Sequence, residues 1–368
     1  MREWVVAEAP SNIALIKYMG KVSDPSANRS ANASLSWTLN HLKTRVRVRW
    51  ESGGSVKRLW RPLVEGSWHA PELSASGQER YLRHADRCLV RIRARMESKG
   101  IQFREEEGAD DDAVESTLVV ESANGFPSDC GLASSASSFA ALTLAMAKLL
   151  GMDTELEENR LWLAGLSREG SGSSCRSLFS PWSIWGPEGA KGVLGLPTES
   201  SIRHLALIVD EKKKLVSSSE AHVRVTTSDL FMGRIERAEN RLSELLKLLS
   251  ENGGQPSAAT WNKACGLTWA EFWDMHALFE TSKPPFGYFT AGTMKVLEWL
   301  RDYIERVGWE RADVRLPMVT MDAGPNIHLL LWRDETRDGK VERELASELE
   351  AFLKTSGAAR LIDSESFS

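Results

Sequence analysis

Residues 124–150, NGFPSDCGLASSASSFAALTLAMAKLL, decide how the rest of the chain is read. The segment opens on turn-forming residues: Asn124, Gly125, Pro127, Ser128, Asp129 and Gly131. It passes through Ala133, Ser134, Ser135, Ala136, Ser137 and Ser138 into a helical pattern, with Phe139, Leu142, Met146 and Leu149 at three- and four-residue steps. Gly151 stands where a helix end takes a left-handed residue. A glycine-bearing loop that feeds a helix of small residues can present unpaired backbone N–H groups, the positive end of a helix dipole and serine hydroxyls to an anion. That predicts a phosphate cradle. The same composition also suits a small-residue helix packed closely on a sheet, so other segments must decide. No Gly-Lys-Ser/Thr follows the glycines, which excludes the Walker A pattern.

Bulk properties narrow the choice. A chain of 368 residues makes two domains or one large one. With 46 Lys and Arg against 51 Asp and Glu, the net charge of −5 gives no basic excess for a nucleic acid partner. The N-terminal MREWVVAEAP lacks the apolar run of a signal peptide, and no stretch reaches the length of a membrane span. Four cysteines without a CxxC pair fit a reduced, cytoplasmic protein without structural zinc. The seven histidines show no HExxH-like spacing, so a metal is expected to arrive with a substrate.

Along the chain, residues 3–9 and 13–16 read as strand, the latter ending in Lys17, Tyr18 and Lys21 at what could be a cleft edge or open solvent. Two strands are expected at 34–40 and 44–51; the second alternates Val46, Val48 and Trp50 with Arg45, Arg47 and Arg49. A helix follows over 76–100, then a solvated acidic run at 105–112 and a strand over 116–122. A helix pair at 155–180 contains SREGSGSSCRS (167–177), and the Gly/Pro-rich span 186–197 is the best linker candidate. Beyond it, a strand at 202–210 leads to helices at 228–251, 267–281 and 291–307, strands at 314–321 and 327–332, and a last helix at 341–355. Strands and helices mix without strict alternation, which predicts an α+β fold in two halves.

Four segments carry a resemblance in one order: NIALIKYMGK, PSDCGLASSASSFAAL, GSGSSCRS and MDAGPN. The second resembles the PxxxGLxSSA signature of the small-molecule kinases for galactose, homoserine, mevalonate and phosphomevalonate. Together, and with weaker similarity through 212–231 and 283–289, they resemble the mevalonate diphosphate decarboxylase family over essentially the whole chain. The resemblance implies a two-domain GHMP kinase fold. Its N-terminal, ATP-binding half would be ribosomal-S5-like (1–190), its C-terminal half ferredoxin-like (198–368), and the cleft would lie between them. It implies ATP and Mg²⁺ as cofactors, a homodimer, and conversion of (R)-mevalonate 5-diphosphate to isopentenyl diphosphate with release of ADP, phosphate and CO₂. A relative acting on mevalonate or its monophosphate as a 3-kinase or decarboxylase, or a non-catalytic nucleotide-binding homologue, is the alternative.

Residue roles follow. Asp322, in a tight Ala-Gly-Pro turn, is either an aimed proton acceptor or an Asx-turn residue capping its own backbone, and the resemblance makes it catalytic. Arg176 offers a planar fork for a carboxylate or phosphate, and the resemblance places it on the substrate carboxylate together with Asn12. Lys17 would neutralise charge between the γ-phosphate and the 3-oxygen. Tyr18 and Lys21 would contact the 5-diphosphate, and Ser171 and Ser173 the substrate's phosphates. Gly131, Leu132, Ala133, Ser134, Ser135 and Ala136 would hold ATP, with Ser134 toward Mg²⁺. The chain departs from the family pattern at Met19 (usually Trp), Ser180-Pro181 (usually Gly-Gly), Ala221-His222 (usually Gly-Met) and the loop before Ser34, which lacks the usual Pro; several of these border the expected cleft.

Overall fold

The computed structural model describes residues 3–20, 31–52, 57–101, 116–126, 134–210, 214–333 and 340–367. Lys21, the acidic run at 105–112, and Gly131, Leu132 and Ala133 lie outside the described residues.

The N-terminal half is built on one long strand, β2 (Ser34–Ser52). Strand β1 (Val5–Ile16) runs antiparallel along one edge of β2. Along the other edge, β4 (Ser116–Asn124) and β5 (Trp182–Gly186) pair with successive parts of it. Strands β3 (Arg58–Pro62) and β6 (Gly189–Gly192) complete a six-stranded sheet of order β3-β4-β2-β5-β6, with β1 on β2. The two strands expected at 34–40 and 44–51 are therefore one. Asn40, His41 and Leu42 form a bulge opposite the Pro10–Ser11 step, where the register jumps from Lys43 to Leu39. The supposed linker at 186–197 begins inside this sheet, since β5 and β6 form a hairpin, and the crossover is confined to 193–201.

Helices α1 (Ala75–Ser98), α2 (Ser134–Leu149) and α3 (Glu157–Gly170) cover one face of this sheet. Helix α2 is buried almost all round, because alanines and serines let it approach both the strands and its neighbouring helices. It ends on Gly151 at φ +83°, with Met152 N–H donating to Ala147 O and Gly151 N–H to Lys148 O, the expected left-handed stop.

The C-terminal half holds β7 (Ile202–Ile208), β8 (Met318–Thr320), β9 (Ile327–Trp332) and β10 (Arg360–Asp363) in the antiparallel order β10-β7-β9-β8. In chain order that is fourth, first, third, second: the ferredoxin-like arrangement. Helices α4 (Ser218–Arg224), α5 (Arg234–Leu249), α6 (Ala258–Glu280) and α7 (Ala291–Val307) lie between β7 and β8, and α8 (Lys340–Ser356) between β9 and β10. The helix expected from 228 starts only at Arg234, after Gly233 at φ +75°. Helix α6 starts nine residues earlier than its apolar period shows, because Ser257 caps it through Thr260 N–H.

The halves share a core. Ile13, Leu15, Trp37 and Leu39 of the first sheet belong to the same buried cluster as Leu205, Leu207, Leu329 and Leu331 of the second. Across this seam runs a row of imidazoles: His41 Nε2 lies 3.1 Å from His204 Nδ1, and His204 Nε2 lies 2.9 Å from His328 Nδ1. Burial pulls His41 and His328 down to about 4 and His204 well below its ordinary value. Such histidines take a proton first in the unfolded chain. Their stabilising contribution is whole above about pH 6.5 and is gone once pH has fallen through about 4. The midpoint of thermal unfolding should therefore drop by several degrees between pH 7 and pH 5. An unfolding midpoint that does not change over that interval would contradict the buried, neutral row.

Candidate active site

Strand β1 ends at Ile16, and the next residues leave the sheet. The Lys17 peptide is then held by other elements. Its N–H donates to Glu271 Oε1 on α6 (3.0 Å), and its carbonyl accepts from Asn32 Nδ2 (2.9 Å) and Arg234 Nη2 on α5 (3.1 Å). This aims the Lys17 ammonium at Asp322, with Nζ 2.7 Å from Oδ1. Lys17 is 2% exposed, whereas Asp322 keeps 32% of its side chain open. Burial pulls the Lys17 ammonium below its ordinary range, against the opposing influence of Asp322 and Glu271. Burial also pushes the Asp322 carboxyl up. Lys17, aided by His328 and Arg176, more than reverses this and holds it below the usual carboxylate range. The result is an anionic acceptor on a fixed cation.

The Asp322 turn joins β8 to β9 and is fastened from several sides. Its own carbonyl accepts from Gly324 N–H (2.7 Å) and lies 3.2 Å from His276 Nε2. Lys214 Nζ donates to Ala323 O, Thr293 Oγ1 donates to Pro325 O (2.9 Å), and Asn326 Oδ1 accepts from Val209 N–H (2.8 Å). A Cβ at Gly324 would lie 3.2 Å from the Lys214 ammonium, so glycine leaves room for that cation. The Asp322 side chain bonds Lys17 across the seam rather than capping its own backbone.

The second cation sits beside this pair. Residues Gly172–Leu178 form a 3-10 turn after α3 and bury Arg176. Arg176 Nε donates to Asn12 Oδ1 (3.1 Å) and Nη1 to Ser34 Oγ (2.9 Å). Asn12 Nδ2 in turn donates to Ser177 Oγ (2.8 Å) and Ser173 O (3.2 Å). Both amide hydrogens and the carbonyl of Asn12 are thus engaged, and its carbonyl fixes the direction of the Arg176 guanidinium. The guanidinium lies 5.5 Å from the Tyr18 ring centroid and 5.6 Å from that of Trp185.

Tyr18 is stacked on His222 (4.5 Å, 19°) and meets Trp185 edge-on. A Cβ on Gly172 would fall 2.8 Å from the Tyr18 hydroxyl, so this glycine permits the approach. Ser171 Oγ reaches Ser135 Oγ at 3.4 Å, bringing the serine-rich turn to the start of α2. The contacts therefore run from Ser135 through Ser171, Gly172 and Tyr18 to Arg176, whose charge acts on both Lys17 and Asp322. Ser134 is half-buried, Ser135 exposed and Ala136 buried at that helix start; Ser173 is half-buried and takes part through its carbonyl. Ser137 is buried against Thr44 and is structural. Met19 is packed among Ala221, Val225 and Phe279. Glu271, Arg234, Asn32, Ser34 and Lys214 escaped the sequence reading; a lone glutamate among Trp269, Phe272, Trp273 and Met275 was the visible sign of the first.

A buried guanidinium on one planar acceptor, one buried ammonium on a partly open carboxylate, and a helix start equip this cleft to orient a carboxylate and transfer a phosphoryl group. Among the described residues, no group of three His, Cys, Asp or Glu side chains converges as metal ligands. Nor is any helix among them long and apolar enough to cross a membrane.

Comparison with known proteins agrees. A family model for the diphosphomevalonate decarboxylase-like N-terminal domain matches residues 9–193, and one for the mevalonate 5-diphosphate decarboxylase C-terminal domain matches 204–357. The diphosphomevalonate decarboxylase of Debaryomyces hansenii is 30% identical over 370 residues, which cover 96% of this chain and 85% of that protein. The crystal structure of a mevalonate diphosphate decarboxylase from Legionella pneumophila is 35% identical, with a TM-score of 0.73 over 98% of this chain and all of that one. A further structure, 23% identical with a TM-score of 0.70 over 98% of this chain and 96% of that one, is a complex with MVAPP, AMPPCP and magnesium, and shows the same fold.

Removing the acceptor on Arg176 should misdirect the fork. Asn12→Ala should weaken binding of a carboxylate-bearing substrate about tenfold or more, with ATP binding retained; titration calorimetry with each ligand separates the two. Equal affinity for the carboxylate ligand would show that Asn12 does not orient Arg176.

Proposed function

The chain belongs to the diphosphomevalonate decarboxylase family, and from that membership and the cleft around Lys17, Arg176 and Asp322 we infer that it converts ATP and (R)-mevalonate 5-diphosphate to isopentenyl diphosphate, CO₂, phosphate and ADP. The observation that supports these residue roles best is the Lys17–Asp322 bond at 2.7 Å, with Asp322 partly open and Arg176 nearby.

The steps assigned to these residues balance. Asp322 takes the hydroxyl hydrogen as the C3 oxygen bonds the γ-phosphorus and ADP departs with the bridging oxygen. Lys17 offsets the negative charge gathering on the transferred group and on the C3 oxygen. The C3–O bond then breaks with its electron pair on the leaving phosphate, and the C1–C2 pair becomes the C2=C3 double bond as CO₂ leaves. Asp322 returns its proton to the phosphate, so no net proton is consumed. Arg176, aimed by Asn12 and Ser34, holds the carboxylate until C1–C2 cleavage.

Tyr18, Ser171 and Ser173, with Lys21, are assigned to the substrate's phosphates, and residues 131–136 to ATP. Magnesium, when bound, would screen the nucleotide phosphates; with no carboxylate cluster among the described residues it is expected to ride on ATP, with the Ser134 hydroxyl at the helix start beside it. We place the domain boundary between 192 and 198 and expect a cytoplasmic homodimer, whose oligomeric state light scattering checks.

Purified protein with Mg-ATP and, separately, mevalonate, its 5-phosphate and its 5-diphosphate should yield ADP and CO₂ in equal amounts from the diphosphate alone. ADP without CO₂ would identify a kinase, and neither product a binding protein. Asp322→Asn should lower kcat by on the order of 10²–10⁴ while ATP binding survives. Unchanged turnover would remove the proton-accepting role.

A further inference from the structure

Two buried residues hold Lys17 by both of its backbone polar groups. Arg234 and Glu271 are each 0% exposed and form a two-armed pair: Nη2 to Oε1 at 2.5 Å and Nη1 to Oε2 at 3.0 Å. The same Glu271 oxygen accepts from Lys17 N–H, and the same Arg234 nitrogen donates to Lys17 O. Arg241 fills the remaining place on Oε2 at 2.8 Å, and Asp274 bridges Arg234, Arg237 and Arg241 from outside. Both members of the pair come from helices of the C-terminal half, while Lys17 directly follows a strand of the N-terminal half. Close by, Ala33 N–H donates to Glu239 Oε1 on α5 at 2.6 Å, and Asn32 spans Lys17 O and Met19 N–H. Residues 17–19 and 32–33 are thus tied together and to the same pair of helices.

A pair placed only for stability has no need to bond the peptide of a lysine beyond the end of its strand. Hydrogen bonds at both N–H and C=O fix the Cα–Cβ direction, and with it where a long side chain can put its ammonium. We propose that Glu271 and Arg234 are positioning residues for phosphoryl transfer: gripping Lys17 by its backbone across the seam, they set Nζ against Asp322. This rests on the role assigned to Lys17 above.

The charged and titratable groups facing Lys17 are Asp322, Glu271 and Arg176, with Arg234 on its carbonyl and His276 and His328 nearby. Of these, Asp322 and Glu271 favour its charged form and Arg176 opposes it. Taking away the Glu271 charge leaves burial less opposed, so the ammonium should lose its proton at lower pH.

Glu271→Gln retains an oxygen for Lys17 N–H but loses the charge. It should lower kcat at least tenfold, leave the KM of both substrates within about threefold, and move the alkaline limb of the kcat profile to lower pH. Asp274→Asn disturbs the same arginines without touching Lys17 and should leave that limb in place. Because Glu271→Gln leaves Arg234 buried without its anion, the double variant Arg234→Met/Glu271→Gln removes both charges and serves if the single one does not fold. A folded double variant that stays slow supports positioning; one that regains wild-type kcat and alkaline limb shows a purely structural pair and overturns the proposal. Lys17→Met separates the two levels. If it keeps full activity, the role of Lys17 itself fails; if it is inactive while Glu271→Gln has wild-type kcat and pH profile, only the positioning role fails.

Discussion

A lysine ammonium with 2% of its surface exposed must have an anion beside it, and here the anion comes from the far end of the chain. Lys17 directly follows the first strand of the N-terminal half; Asp322 opens the turn after β8 of the C-terminal half. Neither half completes the pair alone. The bond at 2.7 Å therefore ties the register of the two halves to the direction of the Asp322 carboxylate. The shared core of Ile13, Leu15, Leu205 and Leu329 brings the sheets together without direction, and the polar bonds across the seam supply the alignment.

The cleft separates its two cations by what each one faces. Arg176 spends two nitrogens on Asn12 and Ser34, within its own half, and so enters the cleft already aimed. Lys17 is aimed by the opposite half, through Glu271 and Arg234. The Arg176 fork is thus oriented by the N-terminal half alone, whereas the direction of the Lys17 ammonium depends on both halves. Glycines hold the spacing where backbone must come close: Gly172 under the Tyr18 hydroxyl and Gly324 beside Lys214.

Much of this was legible before any coordinates. The stop at Gly151 and the turn around Asp322 follow from local chemistry, because glycine, proline and small side chains act over a few residues. The resemblance, carried by short segments, brought Lys17, Arg176 and Asp322 together. What stayed hidden acts over distance. Glu271 reaches a peptide 254 residues away, and nothing in the pattern of α6 names its partner. The bulge at Asn40, His41 and Leu42 looked like a break between two strands, because pairing with β1 on both sides is not a property of β2 alone. Nor does the sequence show that the Asn12 amide is shared between Ser173 and Ser177.

The imidazole row has a further property. A neutral imidazole carries a single ring hydrogen, donating through one nitrogen and accepting through the other. In the sequence His41–His204–His328, each shared edge needs one donor and one acceptor. The choice made by any ring therefore dictates the choice of the other two. The whole file of rings has two tautomeric polarities and no mixed arrangement, so that from a half-buried bulge to the strand beside Asp322 the molecule carries one collective arrow, reversible only in unison.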